Sequence, residues 1–471
     1  MTAWWKCATG GFTSLDLCDV PDSIGSKLSD EPLVKTVTDV SPPVLLTAAW
    51  HSLIWLVIAN AVGVLIATLL VVPRLNGLLG EWTYGRWLPV HMNLQLYGWC
   101  SLPLVAFLFS TYGADRAGTA KWCRPALWLW STSLFVGSLS WLNGYSSGKL
   151  FLDWSGYSRV LFPFALLALW SLLTCAYYLR SHSPSNVPLL VKGTKVTGLI
   201  LLLAIPIALY VAADPSLYPP INPDTGGPTG ASQLESVLII IAILLLLPLG
   251  LSKPKTARSR LRTVAWCIFA AESLLCIGLG RADVSHYRPT QYISLGSLLV
   301  WLLLIPAYIG TFDWNPNTRR WRIAFLCWWS VLVPTGWCLF LPGVLDRFKF
   351  TDGLVAHSLL AMAGFVSSLL IFVLVQLLGE DGWIFNGTWS FYVWQGSVLA
   401  YVLVMFYAGW LEGVNPAFSI LPGVARNTIY LIRLILGVLM LGASTVWLID
   451  GTRALQSHAV PRAQLAPGDA R

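Results

Sequence analysis

The sequence predicts an all-α integral membrane protein, a bundle of about twelve transmembrane helices without a substantial soluble domain. Hydrophobic residues make up 56% of its 471 residues and charged residues 11%, whereas a soluble domain carries about 25% charged residues. Apolar runs of about twenty residues, the length that crosses a bilayer core, recur along the whole chain. Each run must be a helix, because backbone polar groups in lipid need partners within their own segment.

Three regions follow from this pattern. Residues 1–43 form an N-terminal arm of mixed composition, residues 44–450 hold all the spans, and residues 451–471 form a polar C-terminal tail. Many of the 25 tryptophans flank the apolar runs, as interfacial anchors do. The predicted spans are 46–73, 88–110, 125–145, 159–180, 194–213, 231–250, 261–280, 290–310, 322–345, 353–378, 388–411 and 430–449.

The distribution of Lys and Arg between the loops predicts the orientation of the bundle. Loops after even-numbered spans carry more of these residues, and the loop at 214–230, after the fifth span, carries none. We therefore expect both termini, including the N-terminal arm, in the cytoplasm of a bacterial cell whose plasma membrane holds the bundle. The acidic arm itself and the loop at Glu380 and Asp381, which lacks basic residues, do not support this orientation.

The net charge and the spacing of the cysteines exclude some classes of function. The net charge of +8 does not predict nucleic-acid binding, because the basic residues sit in short loops and form no soluble basic face. The nine cysteines show no CxxC and no zinc-type spacing. Five cysteines in or beside apolar runs are expected to be small buried hydrophobes: Cys175, Cys267, Cys276, Cys327 and Cys338.

Three of the six histidines stand at the beginnings of spans. His91 opens the second span, His286 precedes the eighth and His357 opens the tenth, so the predicted topology places all three toward the outer face. Ionisable groups in membranes are rare and usually functional, and neutral imidazole is the common ligand of haem iron and copper. The remaining histidines are expected to pack at the interface or to be solvated: His51, His182 and His458.

The segments around the three histidines carry a specific pattern. They read TYGRWLPVHMN at 83–93, SHY at 285–287 and FTDGLVAHSL at 350–359. In that order they resemble the second-helix segment, the paired histidines followed by Tyr, and the tenth-helix H-x-H motif of haem-copper oxidase subunit I, nearest to the C-type, cytochrome cbb branch. Twelve spans with both termini inside is also the architecture of that family, so the resemblance covers essentially the whole chain.

The resemblance implies a role for each of these residues. His91 would bind a low-spin haem, His357 a high-spin haem and His286 a copper ion. Arg86 and Arg426 would pair with haem propionates, which suits the guanidinium fork. For Arg86, the role of an ordinary interfacial arginine is equally compatible with the sequence. For Arg426 the interfacial role is favoured, because the family tends to show a pair of arginines at this place and this chain has one.

The chain departs from the family pattern at several ligand positions. Leu359 occupies the place of the second H-x-H histidine, the low-spin ligand, and Ser285 that of one copper histidine. The sixth-helix copper histidine should fall near 229–236, where Gln233 and Glu235 stand instead and suit copper poorly. We therefore expect one or two haems, a degenerate binuclear centre and no tight copper binding. A harder metal held by His286 and Glu235 is a weaker alternative.

Glu272 lies in the middle of the seventh span. A carboxylate in hydrocarbon is costly, so it should face the bundle interior, either as a proton relay or with a structural hydrogen bond.

Three functions stay open at this stage. The resemblance implies a haem-bearing subunit for electron transport in aerobic respiration, associated with membrane lipid and other subunits and receiving electrons from cytochrome c or quinol. The missing ligands favour instead a non-catalytic structural subunit that has lost its cofactors, so the sequence leaves open whether the chain is an oxidoreductase. A twelve-helix transporter would explain a charged group near the midplane, but not the three histidines.

Overall fold

A computed structural model describes residues 43–116, 118–149, 151–181, 189–217, 230–256, 259–279, 285–419, 421 and 423–459. It confirms an all-α membrane protein: within the described ranges, eleven helical spans are long and apolar enough to cross a membrane. These spans are Val44–Val71, Tyr84–Tyr112, Ser158–Ser181, Val191–Ala212, Gln233–Leu251, Arg260–Leu279, Pro289–Gly310, Pro316–Leu339, Asp352–Phe385, Thr388–Val414 and Val424–His458.

Several of these spans are made of consecutive shorter helices. The α-helices are α1 (Pro43–Val71), α2 (Leu75–Leu78), α3 (Tyr84–Asn93), α4 (Ser101–Tyr112), α5 (Ala120–Leu142), α6 (Ser158–Ser181), α7 (Leu189–Ala212), α8 (Gly230–Leu251), α9 (Arg260–Leu279), α10 (Pro289–Gly296), α11 (Trp301–Gly310), α12 (Arg319–Leu339), α13 (Val344–Phe348), α14 (Asp352–Leu359), α15 (Ser367–Leu378), α16 (Thr388–Val414) and α17 (Val424–Ala459).

Non-α segments join some of these helices end to end. Two π-helical segments, Leu94–Cys100 and Leu360–Val366, connect α3 to α4 and α14 to α15. Short 3₁₀ segments occur at Ser297–Val300, Pro316–Thr318, Gly379–Phe385 and Pro416–Phe418. Two strands, β1 (Lys253–Pro254) and β2 (Phe312–Asp313), form a small antiparallel pair.

The third predicted span, 125–145, forms α5, which begins and ends a few residues earlier. This helix is not among the eleven apolar spans. Its sequence explains why: basic residues open it, and serines and a threonine recur along its length. One of those serines, Ser131, bonds to His51 Nδ1 at 2.8 Å and accepts a hydrogen bond from Trp55 Nε1 at 3.1 Å. The polar residues of α5 therefore hold it against α1.

The last helix continues past the predicted end of the membrane region at 450. α17 reaches Ala459, and Ala454 within the extension is buried. His458, expected to be solvated, has its Nε2 3.0 Å from Asp381 Oδ2. Packing and this pair therefore keep the first residues of the predicted tail helical. The predicted arm up to residue 42, His182 and residues 460–471 lie outside the described residues.

Polar contacts between helices fix the direction of α17 relative to α1. Trp50 Nε1 donates to Thr452 Oγ1, and Asn60 Nδ2 donates to Ser444 Oγ, each at 3.0 Å, so α1 and α17 run antiparallel. Gln95 Nε2 donates to Asn60 Oδ1 at 3.0 Å from the segment after α3. Such contacts specify which helices pair, because lipid is as apolar as the helix surfaces themselves.

The prediction that the five intramembrane cysteines are buried is wrong for most of them. Cys175, Cys267, Cys327 and Cys338 are exposed on the protein surface, and Cys276 is half-buried. The outer surface of a membrane bundle meets lipid, so a small apolar side chain gains its apolar environment there without protein contacts.

Candidate functional site

The two helices that carry His91 and His357, and the loop that carries His286, meet at one end of the bundle. α14 begins at Asp352, whose Oδ1 lies 3.5 Å from Arg433 Nη1 near the start of α17. The loop before α10 reaches the same end, because His286 Nε2 lies 3.3 Å from Asp346 Oδ1 in α13, just ahead of α14. α17 runs antiparallel to α1, and so does the span that begins with α3, because His91 lies beside Gly63 and Gly98 beside Trp55. α3 therefore begins at that end as well.

His91 in α3 packs against α1, which holds one of its ring nitrogens. Nδ1 lies 2.8 Å from the backbone carbonyl oxygen of Ala59. A carbonyl oxygen only accepts, so Nδ1 carries the proton and Nε2 of the neutral ring keeps its lone pair. Gly63 makes room for the ring, because a Cβ at that position would lie 2.8 Å from His91 Cε1. Metal-ligating histidines are commonly held in this way through their second nitrogen.

His357 in α14 lies on the wall of an apolar cavity of about 320 Å³. The other walls come from α8, α10 and α12, mostly as Leu, Ile, Val and Trp side chains. Nδ1 of His357 is buried and makes no hydrogen bond to a described residue. Gly336 allows the approach of α12, because a Cβ there would lie 3.3 Å from His357 Cε1. Because Nδ1 is closed off from the cavity, a ligand there would have to use Nε2 of His357.

The two helices that carry His91 and His357 share an unusual feature. Each histidine lies three residues before a seven-residue π-helical segment, at Leu94–Cys100 and Leu360–Val366 respectively. π-helical turns are rare and frequently occur at functional sites. At the end of the second segment, the Met362 carbonyl accepts both the backbone N–H of Ser367 and its Oγ–H, the latter at 2.8 Å.

His286, in the loop before α10, is fully buried and belongs to a polar cluster. Its ring lies against Tyr287, with centroids 4.2 Å apart, and its Nε2 faces Asp346. Tyr287 Oη donates to Asp346 Oδ2 at 2.5 Å, and the Gly343 N–H donates to the same oxygen at 2.9 Å. Lys349 Nζ lies farther away, 3.9 Å from Asp346 Oδ1.

These contacts set the acidity of Asp346, which lies in α13, between two of the spans. Burial by itself raises the pKa of this carboxyl, but the donors Tyr287, Gly343 and His286 outweigh it and hold the pKa below its usual range. Asp346 is therefore an anion at neutral pH that engages His286, the residue predicted to bind copper.

Glu272 in α9 is 6% exposed and faces the bundle interior. Its Oε2 accepts a hydrogen bond from Trp301 Nε1. This contact provides the structural hydrogen bond that was one of the two expected roles. The proton-relay role stays a prediction.

Neither arginine expected near haem propionates lines the cavity beside His357. Arg86 Nη1 donates to Glu81 Oε2 at 3.1 Å and to the Leu142 carbonyl at 3.0 Å. Arg426 Nη2 donates to the Asn427 side chain at 3.1 Å. Both arginines therefore have protein partners near helix ends, as interfacial arginines do.

A half-buried charged cluster at the start of α14 was not predicted from the sequence. Besides the pair between Asp352 and Arg433, the Asp352 N–H donates to Glu412 Oε2 at 2.7 Å. Arg433 also lies over the Tyr401 ring, 5.8 Å from its centroid. Arg433 falls inside the predicted twelfth span, so the rarity of intramembrane cations was a signal that could have identified it.

The positions where family ligands are missing have ordinary structural roles. Leu359 is half-buried and packs against the hydrophobic core. Ser285 Oγ accepts a hydrogen bond from the Tyr287 N–H at 3.2 Å. Gln233, in the segment where the sixth-helix copper ligand was expected, lines the cavity beside His357. The α8 wall of the cavity therefore carries an amide side chain where the resemblance predicts a copper-binding imidazole.

The described part of the chain contains no group of three or more His, Cys, Asp and Glu side chains placed to hold a metal ion. His91, His286 and His357 therefore do not converge on one metal centre there. No protein-family model matches the chain, and no curated protein matches it significantly.

Proposed function

We propose that this chain is a haem-binding membrane subunit of a respiratory electron-transfer complex, similar to haem-copper oxidase subunit I but with an incomplete copper site. The observation that carries the proposal is His357, a half-buried imidazole on the wall of an apolar cavity of about 320 Å³. The sequence resemblance around His91 and His357 supports it independently of the cavity.

The residues present fit such a cofactor. Pockets for cofactors are concave, mostly apolar and of roughly 300–1,000 Å³, with a few polar groups that orient the ligand. Haem, when bound, supplies one-electron chemistry at its iron. His357 would provide an imidazole ligand, the Leu, Ile and Trp walls would exclude water, and Gly336 would leave room for the ring of His357. His91 would offer Nε2 at a second position, because its Nδ1 is occupied by Ala59.

The proposal excludes a complete oxygen-reducing centre. His286 faces the carboxylate of Asp346, Ser285 replaces the neighbouring imidazole and Gln233 stands on the α8 wall. Such donors bind copper far more weakly than three imidazoles. Cytochrome c or quinol as the electron donor, partner subunits and a bacterial plasma membrane with cytoplasmic termini belong to the same proposal.

The test is optical spectroscopy on the purified full-length protein, with haem and copper quantified on the same sample. We expect a Soret band from one or two haems and no stoichiometric copper. The His357→Ala variant should lose most of one haem, because its imidazole ligand is removed, and His91→Ala should deplete a second haem if one is present.

His458→Ala is the matched control, because His458 also lies near a helix end but pairs with Asp381 away from the cavity. It should leave the spectrum unchanged. A His357→Ala spectrum identical to that of the wild-type protein would refute the assignment of this ligand, and copper in stoichiometric amount would refute the incomplete site.

A non-catalytic structural subunit is the second candidate. The specific observation in its favour is the pairing of His286 with Asp346, which gives a former metal-ligand position a purely structural role. Under this alternative the purified chain contains no haem and binds none when hemin is added.

A further inference from the structure

The cavity beside His357 has a single charged side chain among its lining residues, all of which lie in the described part of the chain. This residue is Lys349, in the turn between α13 and α14. Arg86 and Arg426 do not line it. A cation on a mostly apolar wall is costly unless an anion accompanies it closely.

The carboxylate nearest to Lys349, that of Asp346, forms only a long ion pair with it. Asp346 Oδ1 lies 3.9 Å from Lys349 Nζ, beyond hydrogen-bonding distance. Asp346 is occupied by closer partners, since Tyr287 Oη and the Gly343 N–H both donate to its other oxygen. The Lys349 ammonium makes no hydrogen bond to a described residue, and its side chain is 33% exposed. It therefore remains able to bind a second acceptor.

The local backbone keeps Lys349 at this position. The N–H of Lys349 donates to the Leu345 carbonyl at 2.8 Å, which ends α13. The next residue, Phe350, has φ of 61°, a conformation that is costly for a residue with a bulky side chain. Such a backbone persists where the surroundings enforce it and is common at ligand sites. Phe350 also lines the cavity.

We infer that the cavity binds an amphipathic ligand whose carboxylate pairs with Lys349 while its apolar body lies among the side chains of α8, α10, α12 and α14. The inference rests on the proposed function for the identity of the ligand, in which the carboxylate belongs to haem. A fatty acid from the surrounding lipid presents the same chemistry, an apolar body with one carboxylate.

The test compares a ligand with its neutral ester on the full-length protein in a nonionic detergent. Hemin and hemin dimethyl ester share the iron and the ring, but only hemin has free carboxylates. Quenching of tryptophan fluorescence reports binding, because Trp329 and Trp337 line the cavity. We expect the wild-type protein to bind hemin about fivefold to tenfold more tightly than the ester, as for a partly exposed ion pair.

Lys349→Met should lower the affinity for hemin to that for the ester and leave the affinity for the ester unchanged. Lys349→Arg should retain the preference for hemin, and Lys253→Met, which changes an exposed lysine in β1, should have no effect. Unchanged affinity of Lys349→Met for the ester shows that this variant is folded. Equal hemin affinities of wild type and Lys349→Met would overturn the inference.

A second pair of ligands separates this inference from the proposed function. If neither hemin nor its ester binds, the haem assignment fails, and oleate and methyl oleate are compared by isothermal titration calorimetry. A preference for oleate that Lys349→Met abolishes would support the carboxylate site with a lipid ligand. If oleate also binds without dependence on Lys349, or not at all, the inference is overturned together with the proposed function.

Discussion

Single glycines decide how closely the helices of this bundle approach one another. A Cβ at Gly409 in α16 would overlap the backbone nitrogen and Cα of Gly353 in α14. Backbone atoms of a packed helix cannot rotate away as a side chain can. Small residues at such crossings let membrane helices pack through van der Waals contacts.

We predict that Gly409→Ala destabilises the protein by about 1–3 kcal/mol, the usual cost of overpacking. Gly396→Ala on the same helix is the matched control, because a Cβ there meets nothing within 4 Å. The control should be neutral or slightly stabilising, since alanine favours helix more than glycine does. Unfolding in mixed detergent micelles measures both variants, and equal stabilities would contradict the packing argument.

Single residues also explain why the candidate ligands could be found in the sequence while their partners could not. His91 and His357 stood out because histidine is rare in apolar spans. Lys349 and Asp346 lie in a polar loop, where charged residues are ordinary. Only tertiary packing shows that Asp346 lies beside His286 and that Lys349 lines the cavity.

At the level of helices, a half-buried ion pair connects α14 with α17. Asp352 and Arg433 have side chains that are only 15% and 14% exposed. Glu412 from α16 shares this cluster through the Asp352 N–H. Removal of one partner would leave the other charge without compensation in a region that excludes water.

We predict that Arg433→Met destabilises the protein by about 2–4 kcal/mol, because Asp352 and Glu412 then repel each other without a cation. The double variant Asp352→Asn with Arg433→Met should recover part of that loss. Unfolding in mixed micelles measures the cycle. Arg453→Met is the control, because its pair with Asp450 on α17 is exposed and should contribute little. Purely additive effects of the two substitutions would refute the coupling.

The ends of the helices also depend on contacts that are distant in sequence. Lys149 Nζ donates to the carbonyl groups of Ala212, Asp214 and Leu217 at the end of α7. Arg159 Nη2 reaches Asp214 Oδ2 at 3.0 Å from the start of α6. Two cations therefore complement the carbonyl end of α7, where the helix dipole is negative.

At the level of the whole molecule, Asp214 makes stability depend on pH. Hydrogen bonds from the Ser216 hydroxyl and N–H, together with Arg159, lower the pKa of Asp214 to about 2. The folded pKa is below the unfolded value near 4, so this contribution is present above about pH 4 and is lost as the pH falls toward 2.

We predict that Asp214→Asn melts at a lower temperature than the wild-type protein at pH 6 and that the difference shrinks as the pH falls to about 2.5. Tryptophan fluorescence during heating measures it. Asp450→Asn, in an exposed pair on α17, serves as the control. A difference that grows on acidification would have the wrong sign and would contradict the assignment.

The sequence by itself determined the class of this protein and most of its spans. Hydropathy and length act locally, because each segment in lipid must satisfy its own backbone, so an apolar run of sufficient length becomes a helix whatever its neighbours are. The same reasoning placed His91 and His357 at the start of spans. This reasoning did not predict that α17 continues to Ala459, since the burial of Ala454 and the pair between His458 and Asp381 depend on other parts of the chain.

Only the tertiary structure decided what surrounds these side chains. The cavity beside His357, the single cation at Lys349 and the pairing of His286 with Asp346 each join residues from different helices or loops. Lipid-facing and protein-facing surfaces are equally apolar, so composition does not tell which face of a helix packs or which loop covers a cavity. Helix packing decides which faces are in contact and which loop covers the cavity, and it thereby decides which side chains are available at the candidate site.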